Sequence, residues 1–263
     1  MPSPVDMWSR STTAPGLAPD READMTGVAE AAWSSWWRFR RWPDFIAREI
    51  VGPLAVADLV AVQFDHSALK ARKRAGIGPT GDYAALAAIH ACRRAKRRTA
   101  DLASILGMSG SATRRALRIA HDVGAIAQTD DGLHRTCDAW KPAGRRLVAL
   151  ELKKSDWRRA TEQVWAYQAW AHAAWLVLGQ PPPLSAVQGL TASGMGLAYI
   201  ADDERIHVVL RPTTRRNQSG IATAWAAEQA LEAALSAGFD PIRSAQSTRG
   251  PATLRGVAAL SVG

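Results

Sequence analysis

The segment 146–178, RLVALELKKSDWRRATEQVWAYQAWAHAAWLVL, constrains the fold most, because it holds a carboxylate where packing alone would place none. Its opening run, 147–152, is apolar enough for a buried strand, yet it carries Glu151, with Lys153 two residues further on. Side chains alternate along a strand, so both charged groups are expected on one face. An ionised carboxylate in an apolar layer costs on the order of several kcal/mol unless a cation or hydrogen-bond donors offset it. Something charged or donating must therefore stand in front of that face. A helix over 156–172 and a second apolar run, 174–178, follow. Strand, helix, strand is the unit that makes a parallel pair by a right-handed crossover.

Upstream, residues 1–26 are rich in Ser, Thr, Pro and Asp and are expected to be disordered. A helix is expected over 29–41, with Trp33, Trp36 and Trp37 at helical spacing and used for packing. The stretch AREIVGPLAVADLVAVQF predicts a hairpin: a strand over 47–51, a Gly52-Pro53 turn, and a strand over 55–64. Asp58 is a second carboxylate on an apolar strand, and Glu49 on the short first strand is a third.

From Gly81 the texture changes. A helix over 83–95 runs into the basic cluster Arg93, Arg94, Lys96, Arg97 and Arg98. Thr99 then caps a short helix over 100–106, closed by Gly107, and a further helix over 111–123 is stopped by Gly124. Two short strands, 125–129 and 133–137, flank the turn Asp130-Asp131-Gly132. The pattern TADLASILGMSGSATRRALRIAHDVGAI resembles the winged helix-turn-helix family across its span. The second helix of such a pair ordinarily enters the major groove. On it Ser111, Thr113, Arg114, Arg115 and Arg118 offer groups suited to phosphates and base edges, with Arg135 and His134 on the wing. A merely solvated arginine face is the competing explanation.

After a linker at 140–144, the chain predicts a helix over 184–191, strands over 195–201 and 206–210, and an alanine-rich helix over 219–237. The tail, 239–263, is expected to be flexible.

Two carboxylates converging at a strand face suit a hard divalent cation, Mg²⁺ or Mn²⁺. Such a cation lowers the pKa of bound water and neutralises charge on a phosphoryl group, and a neighbouring lysine can orient that water. Glu-x-Lys alone is a weak signal; its context is stronger. Asp58 on one strand, Glu151 and Lys153 on the next, then a helix bearing Gln163 and Tyr167 as Q-x-x-x-Y, resembles the PD-(D/E)XK nuclease superfamily over roughly 45–65 and 145–211. The resemblance implies an α/β, restriction-endonuclease-like core with a mixed central sheet flanked by helices. It also implies Mg²⁺ at Asp58 and Glu151, catalysis by Lys153, support from Gln163, and Glu49 as a further acidic residue. Ala57 stands where the family motif has proline, and Lys154 is expected to face away from the site. The core would be discontinuous, 27–80 with 141–238, interrupted by the winged helix at 81–140.

The formal net charge of +9 fits a polyanionic partner, DNA before a membrane surface. The only two cysteines, Cys92 and Cys137, have no metal-ligand spacing, which fits a reducing cytoplasm. His90, His121 and His172 lack ligand partners at convincing spacing, and Trp157, Trp165 and Trp175 are expected in the core. The expected function is a Mg²⁺-dependent deoxyribonuclease, acting as an endonuclease and positioned on DNA by the winged helix. Its competitors are a non-catalytic DNA-binding regulator on a retired nuclease scaffold and an interaction protein whose basic surface binds RNA or an acidic partner. Cutting both strands at one place would need two sites, so a homodimer stays open.

Overall fold

The computed structural model describes residues 22–36, 43–201, 203–215 and 220–247 of the chain. Helix α1 (Glu22–Trp36) begins inside the stretch expected to be disordered. Met25 and Ala29, one turn apart, are both buried against the sheet, so this turn has an apolar stripe to bury. Residues 1–21 and Trp37, and the side chains of Trp33 and Trp36, lie outside the described residues.

The hairpin forms as expected, β1 (Phe45–Val51) against β2 (Val56–Phe64), antiparallel. Helix α2 (His66–Arg74) follows, then α3 (Tyr83–Arg94), α4 (Thr99–Leu106), α5 (Gly110–Asp122) and the pair β3 (Ile126–Gln128) and β4 (His134–Thr136). The chain returns through β5 (Gly144–Lys153), α6 (Trp157–Tyr167), β6 (Ala173–Leu178), α7 (Leu184–Thr191), β7 (Gly196–Ile200) and β8 (Ile206–Leu210). It closes with α8 (Ile221–Ser236) and α9 (Pro241–Ser247). Among the described residues no helix is long and apolar enough to cross a membrane.

The protein is α/β, with a mixed six-stranded sheet in the order β1-β2-β5-β6-β7-β8. The central strands β5, β6 and β7 are parallel and their outer neighbours antiparallel. β6, AAWLVL, is buried at every position, which explains an unbroken apolar run in place of alternation. One face packs Val60, Val62, Leu147, Ala149 and Leu176 under Val164 of α6 and Ala230 of α8. The other packs Leu59, Ala61, Val148, Leu150 and Val177 under Met25 and Ala29 of α1. Small residues let α8 come close: a Cβ on Gly144 would meet that of Ala227 at 2.6 Å.

Between β2 and β5, α3, α4, α5 and the β3–β4 pair share a separate core that includes Ile89, Leu102, Leu117, Ile126 and Trp140. Gly107 closes α4 at φ 63°, a conformation that costs a side chain about 1 kcal/mol or more. This unit docks on α8. Tyr83 and Trp225 meet edge to face at 5.0 Å, and Trp225 Nε1 donates to Gly81 O at 2.8 Å.

Two elements depart from expectation. Helix α2 was not foreseen, because HSALKARKR has no apolar stripe; Asp65 caps it by accepting from Ser67 N and Ala68 N. The tail expected to be flexible contains α9, started by Asp240, which accepts from Ile242 N at 2.9 Å, with Pro241 at the first helical position. Phe239 packs on Phe45 at 5.5 Å, anchoring that segment. Residues 248–263 lie outside the described residues.

A buried ion pair joins the two parts. Arg72 of α2 meets Glu228 of α8 through both forks, at 2.6 and 2.9 Å, and both side chains are buried. Glu228 also accepts from Thr80 N and Ala143 N, and Arg72 donates to the carbonyls of Gly78 and Lys141. One pair thus holds both crossing points, the segment that enters the inserted unit and the segment that leaves it. Removing one member of a buried pair strands the other charge, which costs about 3–5 kcal/mol. Arg72→Met should lower the urea unfolding free energy by that amount. Adding Glu228→Gln removes the stranded charge and keeps an acceptor for one of the two amides, Thr80 or Ala143, so it should recover part of the loss; no recovery would contradict this account.

Candidate functional site

Glu151 is completely buried on β5, on the same sheet face as Leu147 and Ala149. The alternation of the strand sends Lys153 to that face too, and its Nζ stands 3.0 Å from Glu151 Oε1. Tyr167, on the face of α6 that carries Ala160 and Val164 into the core, brings its hydroxyl to Glu151 Oε2. The same hydroxyl lies 2.6 Å from Val56 O at the start of β2. A phenol has one proton and cannot donate to both acceptors at once. When Glu151 is protonated the conflict disappears: the carboxyl donates to Tyr167 and the phenol donates to Val56.

Burial pushes the Glu151 carboxyl above the usual carboxylate range; the Tyr167 hydrogen bond opposes this, the Asp58 charge adds to it, and Lys153 offsets part. The Tyr167 phenol is raised as well, first by burial and then by Glu151. Both shifts are led by burial, which favours the neutral form of each group.

Asp58 completes the group. The β2–β5 ladder runs as far as Leu59 opposite Leu150, so Asp58 and Glu151 come level where it ends. At that point Asp58 Oδ2 accepts from Leu152 N at 2.7 Å, the side chain taking over from the strand as partner. Asp58 is partly exposed and Glu151 is not, which gives the site an open side and a closed one. Gln163 is half-buried on α6, one turn before Tyr167. Lys154 is exposed.

Glu49 stands apart. It is exposed, and its φ of 53° breaks the alternation of β1, so that Ala47 and Ile50 both enter the α8-side core. Among the described residues no group of three or more His, Cys, Asp or Glu side chains could hold a metal ion. The donor set is therefore two carboxylates, of which Glu151 Oε1 is buried and faces Lys153 Nζ. Hard oxygens with spare lone pairs and one open side suit a partly hydrated Mg²⁺ or Mn²⁺.

On α5, Ser111, Arg114, Arg115 and Arg118 are exposed, while Thr113 is not. Thr113 is buried with Ala116, Leu117 and Ala120, and its hydroxyl donates to Ser109 O at 3.0 Å, which removes it from any nucleic-acid surface. His134 stands on β4 but is buried, 3.1 Å from Thr99 Oγ1 and 3.2 Å from His121 Nε2. Arg135 points away from those helices and pairs with Asp138 at 2.5 Å. His172 is buried, and its Nδ1 accepts from Leu147 N, a packing role. Trp175 is in the core, but Trp165 is exposed, opposite the buried stripe of α6.

Comparison with family models, with curated proteins and with solved structures found no match to this chain.

A carboxyl raised on folding contributes stability below its ordinary value of 4.5, and that contribution is lost as pH rises through the higher folded value. Glu151→Gln mimics the protonated form. Its melting temperature should exceed that of the unsubstituted protein at about pH 8 and converge with it at about pH 4. A constant difference across pH would contradict the assigned burial of charge.

Proposed function

We propose that the chain is a divalent-metal-dependent nuclease that hydrolyses phosphodiester bonds of DNA. The observation that carries the reading is the fully buried Glu151, flanked by Lys153 at 3.0 Å and level with Asp58 where the β2–β5 ladder ends. Buried charge of this kind is costly to keep, and a packed hydrophobic residue would stabilise the strand more. The order of elements, acidic strand, inserted unit, Glu-x-Lys strand, helix and parallel strand, supports a PD-(D/E)XK nuclease core, and α3, α4, α5 and the β3–β4 pair follow the order of a winged helix-turn-helix.

Asp58 and Glu151 would hold Mg²⁺ or Mn²⁺ through carboxylate oxygens. When bound, the ion would supply an acidified water and charge neutralisation at the phosphoryl group. Lys153 keeps an ammonium at the carboxylate, where it orients a water or a phosphate oxygen. Tyr167 fixes the Glu151 rotamer through its hydroxyl. Exposed Arg114, Arg115 and Arg118 on α5 supply sequence-independent attraction to phosphates and reach base edges in a groove.

A second reading has one observation in its favour. Glu151 already has Lys153 and Tyr167 as partners, so the strand can fold with no ion, as in a DNA-binding protein on a retired nuclease scaffold. Cleavage separates the two. With plasmid, linear duplex and single-stranded DNA, the protein should cut in Mg²⁺ or Mn²⁺ and not in EDTA. Asp58→Ala and Lys153→Ala should each lower the cleavage rate by about 10²-fold or more. Both should leave DNA affinity within about twofold, since neither group lies on α5. Unchanged cleavage in both folded variants, or none by the unsubstituted protein, would overturn the nuclease reading.

A further inference from the structure

The inserted unit carries a second basic surface besides that of α5. A cleft of about 280 Å³ opens between the C-terminal end of α3 and β4, and Arg93, Arg94, Lys96, Arg135 and Lys141 line it. Asp138 is the one carboxylate on its walls, and it is engaged by Arg135. Five cations against one anion leave the lining with a formal charge of +4. The thiols there add no negative charge: burial pushes Cys92 up to about 11 and raises Cys137 as well.

Local structure accounts for only part of this. Arg93 and Arg94 end α3, where the helix dipole favours cations. Lys96 and Lys141 belong to no helix, and Arg135 comes from a strand. Three segments, 93–96, β4 and the stretch at Lys141, therefore contribute charge to one concavity. They are also held in place. Thr136 donates to Ile89 O at 2.6 Å, tying β4 to α3, and the Lys141 carbonyl accepts from Arg72 in the buried ion-pair cluster. The alternation of β4 sends His134 toward α4 and α5 and Arg135 outward, so the cleft and the α5 arginines use different sides of the unit. A concave, like-charged lining of this kind focuses the field on an anion, and arginine forks match phosphate oxygens.

We propose that this cleft is a phosphate-binding site, separate from the α5 surface, that takes phosphodiester or pyrophosphate groups. The phosphates can come from the nucleic-acid backbone or from a free nucleotide; the two sources share the same recognition chemistry.

The test uses the full chain and a variant with Arg94→Ser, Lys96→Ser and Lys141→Ser, all exposed positions, checked for folding by circular dichroism. Pyrophosphate binding is measured by calorimetry, and the affinity for a mixed-sequence duplex by anisotropy over a range of salt. The variant should lose pyrophosphate binding by about tenfold or more, while Arg114→Ser with Arg115→Ser keeps it. If the backbone is the source, the variant's log affinity against log salt should also flatten by about 0.9 per lost phosphate contact, equally for all sequences. Loss of pyrophosphate binding with an unchanged salt slope assigns the cleft to a free phosphate ligand. Pyrophosphate that binds the variant as well as the unsubstituted chain, or that binds neither, overturns the proposal, as does an equal loss in the α5 variant.

Discussion

Glu151 must sit on an apolar strand with no water around it, and much of the local architecture answers that demand. β5 could close its layer with an apolar residue there, as it does at Leu147 on the same face. Instead α6 has to deliver Tyr167, the strand itself has to supply Lys153, and β2 has to stop pairing so that Asp58 reaches the Leu152 amide. Each of these costs order: a fixed phenol, a long lysine held in one place, a ladder that ends early. Together they convert an isolated buried charge into a polarised group with one open side. The single phenolic proton facing both Val56 O and Glu151 leaves that group one hydrogen-bond donor short, a place that a proton on Glu151 fills.

The second constraint is positional. An inserted unit helps a site only if it is held at a defined angle to it, and flexible crossings would not do that. Here both crossings are gathered on one Arg72–Glu228 pair, and the α8 helix that carries Glu228 also packs on the sheet through Ala226, Ala227 and Ala230. The carbonyls of Gly78 and Lys141 and the amides of Thr80 and Ala143 add charge-assisted hydrogen bonds that offset the burial, with Arg72 Nε left without a partner. Two basic surfaces, one on α5 and one in the cleft beside β4, are thereby fixed relative to Asp58 and Glu151.

The parts of this arrangement that were legible in the sequence are those with a short period. Alternation along one strand put Glu151 and Lys153 on the same side, and helical spacing put Gln163 and Tyr167 on one face of α6. The same rule places Thr113 inside: positions 113, 116, 117 and 120 form the inward stripe of α5. A hydroxyl in a run of arginines looked like a contact, but it returns to the Ser109 carbonyl. Alternation along β4 likewise parts His134 from Arg135, and the buried imidazole answers to Thr99 and His121 instead. Trp165 is the opposite error, an aromatic residue assigned to the core that lies across from the buried stripe. Long-range partners left no local trace. Arg72 and Glu228 are 156 positions apart, and α2 is too polar for its periodicity to show; only its Asp65 cap was available as a signal. The early start of α1 and the helix after Asp240 depend on burial against elements far along the chain.

The central claim is that Asp58 and Glu151 form one cation site, and direct titration of Mn²⁺ followed by electron paramagnetic resonance tests it without depending on any substrate. The account predicts one bound Mn²⁺ per chain, lost in Asp58→Ala, with proton release on binding that grows as the pH is lowered toward the raised Glu151 value. No bound Mn²⁺, or binding that Asp58→Ala leaves unchanged, would contradict it.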